Sequence, residues 1–136
     1  MASVLIIEDN PANMKLTRLL MHHAGHAVIS AVDAETGLTM ARAHLPDLIL
    51  MDVQLPGMDG CTATALLKQD PVTGDIPIIA LTSMAMKDDE EKSRNAGCDG
   101  YIAKPLRYQE LYAAVDALLL KRASRNVDPI HPGAEP

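Results

Sequence analysis

The chain has 136 residues and a formal net charge of −6, from 12 basic against 18 acidic side chains. That length fits one domain and leaves little for a second, and an apolar content of 48% supports a real core and excludes wholesale disorder. Three Tyr with no Phe or Trp, on an acidic background, exclude a stacking platform for single-stranded nucleic acid and broad phosphate-backbone binding.

In chain order, Met1-Ala2-Ser3 runs without a basic segment into the apolar run Val4-Leu5-Ile6-Ile7, so no signal peptide is expected. No apolar stretch approaches the ~20 residues of a membrane span, and a cytoplasmic protein without membrane insertion is expected. Pro11 to Ala24 has helical spacing, with Leu16, Leu19, Leu20 and His23 on one stripe. Asn10 suits its N-cap, Pro11 its first position and Gly25 its end. A weaker apolar run, His26 to Ala31, follows. A helix over Ala34 to Leu45 sets Leu38, Ala41 and Leu45 on one face, with Asp33 as N-cap and Pro46 as stop. Asp47 to Met51 is a second strong run, followed by a short helix from Asp59 to Lys68 and a third run, Ile76 to Leu81. Ala85 to Ala96 is polar and reads as a surface helix ending at Gly97. Gly100 to Ala103 is the last strand, and a helix over Tyr108 to Arg122 carries Leu111, Val115, Leu118 and Leu119. Residues 1–123 then form the domain, and 124–136, with three Pro and one Gly, are expected to be a disordered tail or linker stub.

Continuous aliphatic runs read as strands buried on both faces. Their alternation with helices predicts an α/β, doubly wound, flavodoxin-like fold. It has a five-stranded parallel sheet with five helices on its two faces; if the strand order is 2-1-3-4-5, it reverses between strands 1 and 3. Polar residues end each strong strand on one edge: Glu8-Asp9, Asp52, Thr82-Ser83 and Lys104-Pro105. Open α/β sheets bind ligands outside the carboxyl ends, where strand order reverses. Asp9 and Asp52 would face each other there. Crowded carboxylates disfavour one another, and a hard cation such as Mg²⁺, with Mn²⁺ as substitute, relieves this. Lys104 and the Thr82 hydroxyl would complete a phosphoryl pocket, with Asp52 as a nucleophile able to form an aspartyl phosphate. Singly, each residue has an ordinary explanation as a cap, turn or solvated charge; together, at neighbouring strand ends, they do not.

The set resembles the receiver domain of two-component response regulators. The matching residues are Glu8-Asp9, Asp52 inside DLILMDVQLPGMDG, Thr82 inside IPIIALTS, Tyr101 and Lys104-Pro105, over about Val4 to Arg122. EDNPANMKL and AMKDDEEKSRNAGCDGYIAKP make it most similar to stand-alone cell-cycle receivers. The resemblance implies that Asp52 is the phosphoacceptor and that Asp9 and Asp52 ligate Mg²⁺. Gln54 would lend its backbone carbonyl and Glu8 would act through water. It also implies a cis Lys104–Pro105 bond, Lys104 pairing with the phosphate, and Thr82 and Tyr101 as the switch pair. Gln54 and Met84 would tune phosphate lifetime, the apolar Met84 favouring slow self-hydrolysis. The partner surface would include Met86, Lys87, Tyr101, Leu106, Arg107 and Tyr108. The phosphoryl group would come from a histidine kinase or histidine phosphotransfer protein. Output would pass to a protein target without direct nucleic-acid contact, since no basic recognition helix follows.

A Mg²⁺-dependent phosphohydrolase with an Asp nucleophile would need a second acid where Gln54 stands, and a substrate cap. A flavodoxin-like nucleotide binder would need a Gly/Ser/Thr-rich loop where Glu8-Asp9-Asn10-Pro11 stands. Cys61 and Cys98 lie 37 residues apart without metal spacing and read as buried or half-buried thiols. His22, His23, His26 and His44 also follow no metal spacing.

Overall fold

The apolar runs become strands β1 (Ser3–Ile7), β2 (Ala27–Ala31), β3 (Leu48–Asp52), β4 (Ile78–Thr82) and β5 (Gly100–Ala103). They alternate with helices α1 (Pro11–His23), α2 (Ala34–His44), α3 (Gly60–Gln69), α4 (Lys87–Ala96) and α5 (Tyr108–Asn126). The computed structural model describes residues 2–82 and 87–126, with 87–90 and 124–126 as backbone alone. All neighbouring strands pair in parallel, in the order β2-β1-β3-β4-β5.

Strand alternation divides the core between two faces. Leu5, Ile7, Ile49, Met51 and Ile78 point to one and meet Ala41 of α2 and Ala63 and Leu67 of α3. Val4, Ile6, Leu48, Leu50, Ile79 and Leu81 point to the other, against Met21 of α1 and Leu111 and Val115 of α5. Both faces are covered, which is why the strands read as unbroken apolar runs; each fully buried Leu or Ile contributes about 1.5–3 kcal/mol. Two Asp start helices: Asp33 Oδ1 accepts the Thr36 N–H at 2.7 Å and Asp59 Oδ1 that of Thr62 at 2.8 Å. Asn10 Oδ1 does the same for Asn13 at 3.0 Å. Such caps are worth about 1 kcal/mol each.

Three details correct the sequence reading. On α1, Leu16 and Leu19 are 44% and 58% exposed, and His23 is exposed; Thr17 and Met21 are buried instead, with Met14 and Leu20 packed beside them. The inner stripe is one residue further along, a rotation of about 100°. Thr17 tolerates burial because its hydroxyl donates to the Asn13 carbonyl at 2.8 Å. Leu45 is 52% exposed, since it leaves α2 in the left-handed region at φ 46 instead of continuing the inner face. Finally, α5 runs to Asn126, past the expected end at Arg122; no Pro or Gly interrupts the chain before Pro129.

Candidate functional site

Sheet hydrogen bonds continue one residue past three strands and hold the site rigidly. Glu8 N–H donates to the Ala31 carbonyl at 3.0 Å, Val53 N–H to that of Leu81 at 2.9 Å, and Lys104 N–H to that of Thr82. With Ile7 opposite Met51 in the register, Glu8 and Asp52 end adjacent strands side by side. Residues placed by strands are held more precisely than residues on loops.

Glu8 and Asp52 are both buried, and Asp9 is exposed at the rim. One carboxylate oxygen from each lies within 4.8 Å of the others. Lys104 Nζ reaches Glu8 Oε1 at 2.8 Å and Asp52 Oδ2 at 3.3 Å. Backbone amides complete the pattern: Asn10 N–H donates to Glu8 Oε2 at 3.1 Å and Gln54 N–H to Asp52 Oδ1 at 3.0 Å.

Burial, followed by the hydrogen bond with Glu8, pushes the Asp52 carboxyl up to about 7. Burial also acts against ionised Glu8, but its bonds with Asp52, Lys104 and the Asn10 amide outweigh that and lower it. Of the two carboxyls, Asp52 is therefore the one that takes up a proton as pH falls below about 7. Such a pair holds excess negative potential in a partly dry crevice, the condition under which a hard cation binds well. The donors are oxygens throughout, without His or Cys, which fits Mg²⁺ or Mn²⁺ and disfavours zinc.

Gly60 belongs to this site, and the sequence reading passed over it. A Cβ there would fall 2.2 Å from the Asp52 carbonyl oxygen and 2.8 Å from Val53 Cα, and its N–H donates to the Val53 carbonyl at 2.9 Å. The start of α3 thus presses on the backbone that carries Asp52. A glycine in the first helical position, directly after the Asp59 cap, was the available signal, because a helix favours other residues there. Gly60→Ala is expected to destabilise the protein by about 2–3 kcal/mol in urea melts and to weaken Mg²⁺ binding measured by titration. An unchanged pair of values would show that the contact relaxes freely.

The family model for the response regulator receiver domain matches residues 4–116. The chain belongs to that family. The receiver is 44% identical over 117 residues to the polar-differentiation response regulator DivK of Brucella anthropi, covering 86% of this chain and 95% of that protein. The DivK of Brucella ovis matches to the same extent. Among solved structures, a response regulator from Chloroflexus aurantiacus superposes with a TM-score of 0.85 at 33% identity, over 88% of this chain and 98% of that one. The receiver domain of the sensor histidine kinase PA1611 from Pseudomonas aeruginosa gives 0.82 at 32% identity, over 87% and 97%, and holds a magnesium ion in its active-site cleft.

Other residues expected to matter in the receiver are placed as follows. Thr82 is fully buried at the end of β4, beside Ala103 in the register, and the Lys104–Pro105 bond is cis. Tyr101 is half-buried on β5, and Gln54 is exposed next to Asp52. Leu106 packs partly on the core, whereas Arg107 and Tyr108 are exposed, the Tyr108 ring edge-on to Tyr112 at 5.9 Å. Met84 and Met86 lie outside the described residues, as does the side chain of Lys87. The sequence reading did not notice a groove of about 480 Å³ along α1, between Met14, Leu19 and Val32, with Lys15, Arg18 and His22 on its rim and Glu8 and Asp9 at one end.

Proposed function

We propose that this receiver takes a phosphoryl group from a phosphohistidine onto Asp52 and thereby switches a protein partner. The observation that carries it is the placement of buried Asp52 between Lys104 and the acids Glu8 and Asp9. Asp9, Asp52 and the Gln54 carbonyl would hold Mg²⁺ directly, with Glu8 acting through water. When bound, the cation supplies charge neutralisation for phosphoryl oxygens. An Asp52 carboxylate oxygen attacks phosphorus, the P–N bond breaks, and its electrons return to the departing imidazole. The ammonium of Lys104 exchanges a carboxylate contact for the phosphoryl oxygens, and Thr82 offers its hydroxyl. Slow hydrolysis later breaks the acyl phosphate and returns the carboxylate.

The added charge prefers the conformation in which Thr82 and Lys104 reach it, and that preference shifts the equilibrium. Half-buried Tyr101 would follow Thr82. Arg107 and Tyr108, with Leu106, Met86 and Lys87, would form the surface read by the target. Among the described residues, no helix is long and apolar enough to cross a membrane; cytoplasmic phosphotransfer from a histidine kinase or phosphotransfer protein is the proposed setting.

The donor would dock in the α1 groove, since this apolar trough opens beside Asp9 on the edge where Asp52 sits. Leu19→Asp, at a 58% exposed position, should leave the fold intact. Transfer from the phosphorylated cognate kinase should slow by about tenfold or more, in line with loss of an apolar anchor. Labelling by acetyl phosphate, which needs no docking, should stay unchanged. Equal slowing with both donors would place the effect in the fold and remove the groove from the reading.

A further inference from the structure

The two cysteines, distant in sequence, both lie at the seam between α3 and α4. Cys61 is the second residue of α3, and Cys98 lies just past α4. Gly97, at φ +106, turns the chain there, and the Cys98 N–H donates back to the Ser93 carbonyl at 3.0 Å. Cys98 Sγ then lies 3.7 Å from Thr64 Oγ1, one turn along α3 from Cys61. In the reverse direction, Cys61 Sγ lies 3.9 Å from Ser93 Oγ on α4. Each sulfur therefore rests on a hydroxyl of the opposite helix, and each hydroxyl is within about one turn or one hydrogen bond of the other cysteine. Thr64 and Ser93 are buried, both cysteines are half-buried, and both are thiols.

We infer that Cys61 and Cys98 form a dithiol pair that a peroxide oxidises to an intramolecular disulfide, tying α3 to α4. Nothing in the phosphoryl chemistry uses either residue. The Cys61 sulfur attacks a peroxide oxygen, the O–O bond breaks, and a sulfenic acid and water result. The Cys98 sulfur then attacks the sulfenic sulfur; the S–S bond forms, the S–O bond breaks, and the hydroxide leaves with the thiol proton as water. Two thiols and one hydrogen peroxide become one disulfide and two waters. Burial pushes the Cys98 thiol up to about 11; because the thiolate is the attacking form, the second, resolving step is the slower one at neutral pH. Closure requires each sulfur to exchange its hydroxyl neighbour for the other sulfur.

The test treats the full native chain with hydrogen peroxide, then quenches, denatures, alkylates and maps peptides by mass. The expected result is loss of both alkylatable thiols in one monomer, with the Cys61 and Cys98 peptides linked. The melting temperature should rise by several degrees and revert with a reductant, as a cross-link constrains the unfolded chain. Cys61→Ser and Cys98→Ser should each lose the link and the rise. Two thiols that remain alkylatable, a sulfinic acid on Cys61 beside an untouched Cys98, or links only between molecules would each overturn the inference.

Discussion

Asp52→Asn is expected to abolish phosphoryl uptake and, at the same time, to stabilise the metal-free protein at pH 8. The first effect follows from loss of the attacking oxygen. The second follows from the environment of Asp52, buried beside Glu8, which raises its carboxyl to about 7. A carboxyl raised in the folded state contributes stability that is complete below the ordinary carboxylate range near 4 and is lost as pH rises through about 7. At pH 8 the wild type therefore holds a second buried negative charge that Asn lacks, and a gain of about 1–2 kcal/mol is expected. Chemical denaturation at pH 8 and pH 5 checks this; the advantage of Asn should shrink or vanish at pH 5. Mg²⁺ should stabilise the wild type and barely affect Asp52→Asn. In the wild type, Mg²⁺ affinity should fall as pH drops below about 7, because protons compete for the same oxygen.

Lys104→Met acts on the same charges with the opposite sign. Lys104 Nζ is the cation that contacts both Glu8 and Asp52, at 2.8 and 3.3 Å, and its side chain is only 13% exposed. Its removal leaves two crowded acids without that compensation, and breaking a buried pair from one side costs about 3–5 kcal/mol. The loss should be largest at pH 8, where both acids are ionised. It should be partly recovered by lowering the pH towards 5 or by adding Mg²⁺. Phosphoryl uptake should also drop steeply, because the group that pairs with the phosphoryl oxygens is gone. Melting curves over pH with and without Mg²⁺ separate the two effects. Equal destabilisation at all pH values would mean that Lys104 contributes packing and not charge.

The parallel sheet and the gathering of Glu8, Asp9, Asp52, Thr82 and Lys104 at one edge were legible in the sequence for a physical reason. Strands buried on both faces must be apolar throughout, so the first polar residue marks the strand end, and parallel strands bring those ends together. The inner stripe of α1 was not legible. Leu16 and Leu19 look like core, whereas Thr17 is buried because its hydroxyl bonds within the helix and Leu19 instead lines an open groove. Leu45 was misread similarly, because its backbone turns left-handed before Pro46. Gly60 was overlooked since close backbone approach leaves only an absence of side chain as its trace. The seam joining Cys61 to Ser93 and Cys98 to Thr64 depends on the packing of α3 against α4, which no local pattern encodes.

The central claim is that Asp52 itself accepts the phosphoryl group, and mass mapping after reaction with acetyl phosphate and Mg²⁺ tests it most directly. The account predicts a gain of one phosphoryl group per chain, located on Asp52, acid-stable and base-labile, dependent on Mg²⁺ and lost in Asp52→Asn. Phosphate released over many turnovers without a labelled Asp52, or a label on another residue that survives Asp52→Asn, would contradict it.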